Sequence, residues 1–458
     1  MFDDTIAAIS TAQGTGGIGI IRISGSKAFQ ITDRIFSGKR KISSAKSHTL
    51  SYGKIINPLN GVMIDEVLIA KMEKPNTFTK EDIVEINCHG GLIVLKEVLT
   101  LVLKEGARLA EPGEFTKRAF LNGRMDLSQA EAVIDLINAK TEDGSKAAAQ
   151  QLEGRLSIKI KEVRKKLIEL IAHIEVTVDY PEHDIEEVTG EMVFREISDI
   201  RGNLSDIIKG FEKGRILREG ISLVIIGKPN VGKSSLLNEL SGNNKAIVTD
   251  IPGTTRDIIE EYININGIPV RITDTAGIRD TEDIVEKIGV EKAKKAIDSA
   301  DLIIMMLDAS LGLSDEDMLI LDKVRGKKLI VLINKIDCAD NGVIEKIEEK
   351  IGVNSIIRTS IKEGIGIERL EKEISDLFNK GEIRSNDEIL VTNIRHKDLI
   401  DKALSGISDA IGSYEAGMPL DCITIDIKNS AEYLGQITGE SASEDVMHEI
   451  FSRFCIGK

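Results

Sequence analysis

Eight consecutive residues, Gly227-Lys228-Pro229-Asn230-Val231-Gly232-Lys233-Ser234, have types and spacing suited to holding phosphate. They follow the apolar, β-branched run Ile221 to Ile226 and open onto Ser235-Leu236-Leu237-Asn238. The stretch reads as strand, glycine-rich loop and helix, with the Gly-x4-Gly-Lys-Ser spacing of a phosphate-binding loop. Its glycines let backbone N–H groups converge on phosphate oxygens at a helix N-terminus. Lys233 would reach the β- and γ-phosphates, and Ser234 would offer a hydroxyl to Mg²⁺. An octamer of this kind also arises by chance, and a bland glycine-rich turn is the competing reading.

Three later stretches weigh against that turn. Asp274-Thr275-Ala276-Gly277 follows the short apolar strand Val270 to Thr273. An acidic residue there would hold Mg²⁺ through water, and the Gly277 N–H would sense the γ-phosphate. Asn334-Lys335-Ile336-Asp337 follows the buried-type strand Leu329 to Ile333. Asp337 can accept hydrogen bonds from guanine N1–H and the exocyclic amine, which adenine cannot supply, and Lys335 can lie along the base. Between the phosphate loop and Asp274, Thr249-Asp250-Ile251-Pro252-Gly253-Thr254-Thr255-Arg256-Asp257 sits where a switch loop supplies a Mg²⁺-binding hydroxyl from Thr255. Order and spacing are those of a GTPase domain. The usual Ser-Ala-Lys of such domains reads here as Thr359-Ser360-Ile361, a departure on the far side of the base.

The elements that position these residues follow from the whole chain. Its 458 residues suffice for about three domains. A net charge of −15 and a pI near 5.1 argue against broad binding to nucleic acid or anionic membrane, so any RNA contact must be a local basic patch or come through a partner. No apolar run reaches the ~18 residues of a membrane span, and the N-terminus lacks the pattern of a secretory signal. Cys88, Cys338, Cys422 and Cys455 are scattered without a CxxC, which argues against a disulfide framework or zinc site and for a reducing cytoplasm. Cys455-Ile456-Gly457-Lys458 does not fit a prenylation signal.

Residues 1–118 read as an α+β domain, with strands at Thr5–Ser10, Ile18–Ser24, Thr49–Ile56, Val67–Met72 and Ile83–Cys88 and helices at Lys27–Ile35 and Leu92–Lys104. Thr15-Gly16-Gly17-Ile18-Gly19 precedes a strand rather than a helix and reads as a turn. Residues 119–215 read as helical. Ser128 and Glu131 fit a capping box, and one long helix carries Leu152, Leu156, Ile160, Val163, Leu167, Ile171, Ile174 and Val178 up to Tyr180-Pro181. A further helix carries Ile197 to Phe211, and the glycine-punctuated Gly210 to Gly220 reads as a boundary. Residues 216–380 form the α/β GTPase domain, and 381–458 are helical again, with a last helix capped by Ser441 and Glu444. So short a C-terminal piece rarely holds a core alone. The economical arrangement packs it on the first helical block, with the GTPase domain inserted between. The alternative is a hairpin docked on the GTPase domain.

The phosphate loop, the Thr254-Thr255-Arg256-Asp257 switch, the central GTPase domain and the terminal Phe454-Cys455-Ile456-Gly457-Lys458 together resemble the MnmE (TrmE) family of tRNA uridine-modification GTPases, over essentially the whole chain. The resemblance implies an N-terminal domain that forms a homodimer and binds 5-formyltetrahydrofolate or a related tetrahydrofolate one-carbon carrier. It implies a flavoprotein partner, MnmG, in a heterotetramer or larger assembly. The pair adds an aminomethyl or carboxymethylaminomethyl group at C5 of the wobble uridine of certain tRNAs, and the GTPase domains approach one another in a K⁺-dependent manner.

Small signalling GTPases place a water-orienting glutamine after the Asp-x-x-Gly stretch; here that residue is Ile278. Glu286 resembles the family's catalytic glutamate, its plain reading being a solvated charge at a helix start. Arg279 is a second candidate for charge stabilisation. By resemblance, K⁺ is held by Asn230, Thr249, Ile251 and Thr254, although Asn230 reads equally as a loop-capping side chain. The resemblance also assigns Arg22, Glu85 and Arg124 to the folate pocket, with Cys455 and Lys458 approaching it. The rival function is a GTP-dependent switch in ribosome assembly or translation. Such a switch would want a basic RNA-binding domain and would need neither Glu286 nor the Cys-Ile-Gly-Lys terminus.

Overall fold

The computed structural model describes residues 4–12, 14, 16–179, 190–243, 261–273, 295–378 and 390–458. They divide into two compact units, one of Met1–Ile134, Gln151–Arg201 and Leu399–Lys458, the other of Asp135–Gln150 and Gly202–Asp398.

The first unit is built on a seven-stranded sheet. Its strands are β1 (Ile6–Ile9), β2 (Ile18–Ser24), β3 (Phe36–Gly38), β4 (Thr49–Ile56), β5 (Met63–Met72), β6 (Ile83–His89) and β7 (Arg108–Leu109), in the order β3-β4-β5-β6-β2-β1-β7. All pairings are antiparallel except β1 with β7. Side chains alternate across a strand. Ile21, Ile23, Val67, Ile69, Val84 and Ile86 enter a core with α1 (Ala28–Ile35) and α2 (Leu92–Lys104), among others through Ile31, Ile35, Val98 and Val102. The opposite face is left with Leu50, Tyr52 and Leu68, 61%, 64% and 45% exposed, Tyr52 standing directly across from Leu68.

The helical part of this unit pairs distant segments. α6 (Arg155–Asp179) buries Leu156, Ile160, Val163, Leu167 and Ile174 and packs on the helix Leu420–Thr438, which buries Ile423, Ile427, Leu434 and Ile437. Arg164 Nε donates to the Ala431 carbonyl at 3.1 Å, and its guanidinium pairs with Glu440. Phe451 and Phe454, at the end of the helix Glu444–Ser452, close over Leu127, Ala130 and Phe120.

Several expected boundaries move. Leu152 ends a separate helix, α5 (Glu142–Leu152), and the break before α6 falls at Gly154, whose φ is +89°. Val178, expected in the buried stripe, is 48% exposed. The box at α4 (Leu127–Asn138) is made by Asp126 and Gln129, not Ser128 and Glu131. Asp126 Oδ1 accepts from Gln129 N at 3.1 Å, and Gln129 Oε1 accepts from Asp126 N at 3.0 Å. Ser128 is buried; its hydroxyl donates to Asp126 Oδ1 at 3.0 Å and lies 2.7 Å from the Ser157 hydroxyl. Likewise Ser443, not Ser441, caps the last helix by accepting from Val446 N. Gly210 to Gly220, read as a boundary, is helical over most of its length. It forms α8 (Phe211–Glu219), which buries Phe211, Ile216 and Leu217, and its Arg215 and Arg218 pair with Asp301 and Asp135. Tyr180-Pro181 and the stretch 379–388 lie outside the described residues.

The second unit carries a six-stranded sheet of β8 (Ile221–Ile226), β9 (Glu261–Ile265), β10 (Ile268–Thr273), β11 (Leu302–Asp308), β12 (Leu329–Asn334) and β13 (Ile356–Arg358), in the order β13-β12-β11-β8-β10-β9. All neighbours are parallel except β9 and β10. Parallel strands covered on both faces must be apolar throughout, and β8 and β11 are buried at every position. The hairpin β9–β10 turns at Asn266-Gly267, with φ of +49° and +88°, a two-residue turn that Asn-Gly favours.

Candidate functional site

In the second unit, Gly227 to Gly232 link the C-terminal end of β8 to α9 (Lys233–Asn243). The loop folds tightly: Asn230 has φ +64°, Gly232 has φ +109°, and a methyl at Gly232 would lie 2.5 Å from Asn334 Nδ2. Lys233 Nζ donates to the Gly227 and Lys228 carbonyls, each at 2.7 Å, so its ammonium stands inside the loop. Ser234 and Ser235 are exposed in the first turn of α9, while Val231 is buried beneath it. The hydroxyl of Ser234 beside this cradle fits a Mg²⁺-nucleotide.

The end of β12 closes the site. Buried Asn334 donates through Nδ2 to the Val231 carbonyl at 2.8 Å and accepts from Ile361 N at 3.2 Å, joining phosphate loop and base end. Lys335, with φ +62°, donates to the Asn230 carbonyl at 2.9 Å and pairs with Asp308 at 2.6 Å. Burial pushes the pKa of Asp308 up, but bonds from Lys335 and Ser310 outweigh it and hold the carboxyl below its usual range. Asp337 is exposed and accepts from the Ser360 hydroxyl at 2.7 Å. That bond, followed by the one from the Cys338 thiol, keeps Asp337 below the usual carboxylate range. Around these groups lies a cavity of about 600 Å³ lined by Asn230, Gly232, Ser235, Asn334, Lys335, Asp337, Cys338, Ser360, Ile361 and Lys362, among others. The stretch that lines this cavity is Ser360-Ile361-Lys362, one residue later than Thr359-Ser360-Ile361. Thr359 is buried below, its hydroxyl turned to the Ile333 carbonyl.

Thr249, Asp250, Ile251, Pro252, Gly253, Thr254, Thr255, Asp274, Thr275, Ala276, Gly277, Arg279 and Glu286 lie outside the described residues.

In the first unit, the register sets Arg22 of β2 opposite Glu85 of β6, and they pair at 2.8 Å. The Arg22 guanidinium lies 5.8 Å from the Phe78 ring and 5.7 Å from that of Phe115. Arg124 stacks on Phe78 at 4.6 Å and donates to its carbonyl at 3.0 Å. Burial lowers the pKa of the Arg124 guanidinium. The chain end is sewn to this place. Gly457 O accepts from Ser10 Oγ at 3.1 Å and from Arg22 Nη1 at 3.5 Å, and Lys458 O accepts from Phe115 N at 3.2 Å. Arg22, Glu85, Arg124 and the backbone of Lys458 thus come together, with Cys455 exposed beside them.

Phe78 and Phe115 were missed in the sequence, where an isolated phenylalanine carries no signal. They pack together with Ile6, Ala8 and Ala110, and a charged network lies in the same unit. Arg118, fully buried, pairs with Glu114, Asp4 and Glu81, and Ser24 donates to Glu81 at 2.7 Å. Asp308 was also missed; its signal is an acidic residue closing the apolar run Leu302 to Leu307.

The family model of the MnmE helical domain matches residues 127–455, and that of the GTP-binding protein TrmE N-terminus matches residues 5–124. A tRNA modification GTPase MnmE of Acetivibrio thermocellus is 69% identical over 456 residues, covering 100% of this chain and 99% of that protein. Those of Alkaliphilus oremlandii and Clostridioides difficile are 53% and 54% identical, each again over 100% of this chain and 99% of the relative.

Proposed function

The chain belongs to the MnmE family of tRNA modification GTPases, and from that premise, a GTP hydrolase at work in tRNA modification, we propose a fuller reading. The protein couples K⁺-activated GTP hydrolysis to the addition of an aminomethyl or carboxymethylaminomethyl group at C5 of a wobble uridine, in the cytoplasm, with a tetrahydrofolate one-carbon donor and the flavoprotein MnmG. tRNA is its macromolecular substrate. Ser234 and Thr255 hold Mg²⁺, which would draw charge from the phosphate oxygens when bound. Asn230, with Thr249, Ile251 and Thr254, holds K⁺ in place of an arginine finger. Glu286 orients the attacking water, and Arg279 is the second candidate for stabilising charge. Asp337 accepts from guanine, Lys335 lies along the base, and Asp308 holds Lys335 in place.

The observation that carries the one-carbon half is the cluster around Arg22. An anchored carboxylate, Glu85, suits the amino group of a pterin; Arg22 and Arg124 suit carbonyl or carboxylate oxygens; Phe78 offers a ring beside both. The apolar group Leu50, Tyr52 and Leu68 on the outer sheet face supports a homodimer through the same domain. The four-part division at 118, 215 and 380 is retained as part of this reading. Calorimetry with 5-formyltetrahydrofolate tests it: the native chain binds and Arg22→Ala loses most of the affinity while GTP turnover stands. Equal binding by both would remove the folate assignment.

The acidity of the chain weighs against the ribosome-assembly reading, and its relatives are tRNA modification enzymes.

A further inference from the structure

The chain carries 75 acidic and 60 basic residues, yet from Arg34 to Ile64 it has no carboxylate at all. The same stretch holds Arg34, Lys39, Arg40, Lys41, Lys46 and Lys54. Arg34 and Lys54 are paired, with Glu105 and Glu66. Lys39, Arg40, Lys41 and Lys46 are exposed, and none of them has an ion-pair partner among the described residues. They lie on the loop between β3 and β4, at the edge of the first unit's sheet.

That loop is held from beneath. Ile42 and Ala45 are buried, and Asp33 Oδ1 accepts from Ile42 N at 2.6 Å and Ser43 N at 3.2 Å. Lys71, 2% exposed, donates to the Ser43 carbonyl at 2.9 Å and the Ala45 carbonyl at 2.8 Å. Two buried anchors and a buried ammonium fix a backbone whose exposed, formally charged side chains are all cationic. A solvated charged face in an acidic protein ordinarily mixes signs and pairs i with i+3 or i+4, as α6 does. This loop does neither. An unpaired, pre-ordered cluster costs self-repulsion, which a polyanion would relieve.

We propose that Lys39, Arg40, Lys41 and Lys46 form a docking surface for the phosphate backbone of tRNA. Its contacts are sequence-independent: they position the RNA and leave the choice of base to other groups. The proposal rests on the reading that this chain itself meets tRNA.

The test uses the full-length chain and a fluorescently labelled tRNA transcript, with anisotropy titrations across a KCl series. The triple variant Lys39→Gln/Arg40→Gln/Lys41→Gln is expected to bind at least about tenfold more weakly at 100 mM salt, with the log–log salt slope reduced by about 2 to 3. Lys39→Arg/Lys41→Arg, which keeps the charge, should bind like the native chain. GTP turnover should be unchanged in both, because neither touches the nucleotide site. Native-like affinity and slope in the triple variant would overturn the proposal while leaving tRNA as a ligand. No measurable binding by the native chain would overturn the reading beneath it. A variant that loses only adhesion to phosphatidylglycerol vesicles, with tRNA binding intact, would also overturn the RNA assignment.

Discussion

Gly457→Ala isolates the link between the chain end and the Arg22 cluster. Gly457 has φ +95°, and an added methyl would sit 2.3 Å from the Ile9 carbonyl oxygen and 3.1 Å from Ser10 Cα. These are backbone atoms of the sheet, so no rotamer change relieves the clash. A left-handed alanine costs about 1–3 kcal/mol before the clash is counted. The terminus is held chiefly by bonds to the Gly457 and Lys458 carbonyls from Ser10, Arg22 and Phe115, at 3.1, 3.5 and 3.2 Å. At about 0.5–1.5 kcal/mol each, three such bonds contribute on the order of 2–4 kcal/mol. Strain and hold are therefore comparable, and the tail should spend a much larger fraction of time undocked. Hydrogen exchange at the Phe115 amide, whose acceptor is Lys458 O, should accelerate roughly ten- to a hundredfold, at about 1.4 kcal/mol per factor of ten. The melting temperature should fall little and GTP turnover not at all. Unchanged protection of Phe115 would refute the argument from backbone strain.

Three more outcomes are expected. The pKa of Asp337 is held below the usual carboxylate value, so base reading is complete at neutral pH and fails only as pH falls through that lowered value. Ser360→Ala removes the largest cause of the depression, and GTP affinity should then begin to fall at a higher pH; an unmoved acid limb in Kd against pH would show that Ser360 does not act on Asp337. Glu286→Ala should leave GTP binding intact and nearly abolish hydrolysis, as read by nucleotide titration and phosphate release; unchanged turnover would end its assigned role. Burial, with Asp65 adding its charge, pushes the Cys88 thiol up to about 12, so at pH 8 a thiol reagent should modify exposed Cys455 and Cys338 in the native protein and reach Cys88 only on unfolding. Mass spectrometry of the labelled peptides checks this.

The nucleotide site was legible because its chemistry constrains neighbouring residues. Phosphate binding demands glycines beside a helix start, and guanine demands a carboxylate at a strand end. Strands and helices with an uninterrupted pattern were legible to the residue, as at Ile18–Ser24, Thr49–Ile56 and Leu92–Lys104. Caps were not, where two candidates stand two residues apart. The Ser128 hydroxyl turns to Asp126 Oδ1 and to Ser157, a partner 29 positions away. The hairpin at Asn266-Gly267 had a local signal that went unread. The Arg22 cluster had none. Its pairing with Glu85 spans 63 positions and its contact with Gly457 spans 435, so only sheet register and the docked terminus bring them together. Thr359 and Ser360 look alike in sequence and both are buried just beyond β13; only their hydroxyl partners separate them, the Ile333 carbonyl for Thr359 and the Asp337 carboxylate for Ser360.

The most direct test of the account is steady-state GTP hydrolysis by the purified chain in KCl and in NaCl at equal ionic strength, so that screening cancels. The account predicts a large preference for K⁺, reduced by Asn230→Ala. Equal rates in the two salts would leave a GTPase but contradict the cation-assisted mechanism proposed for it.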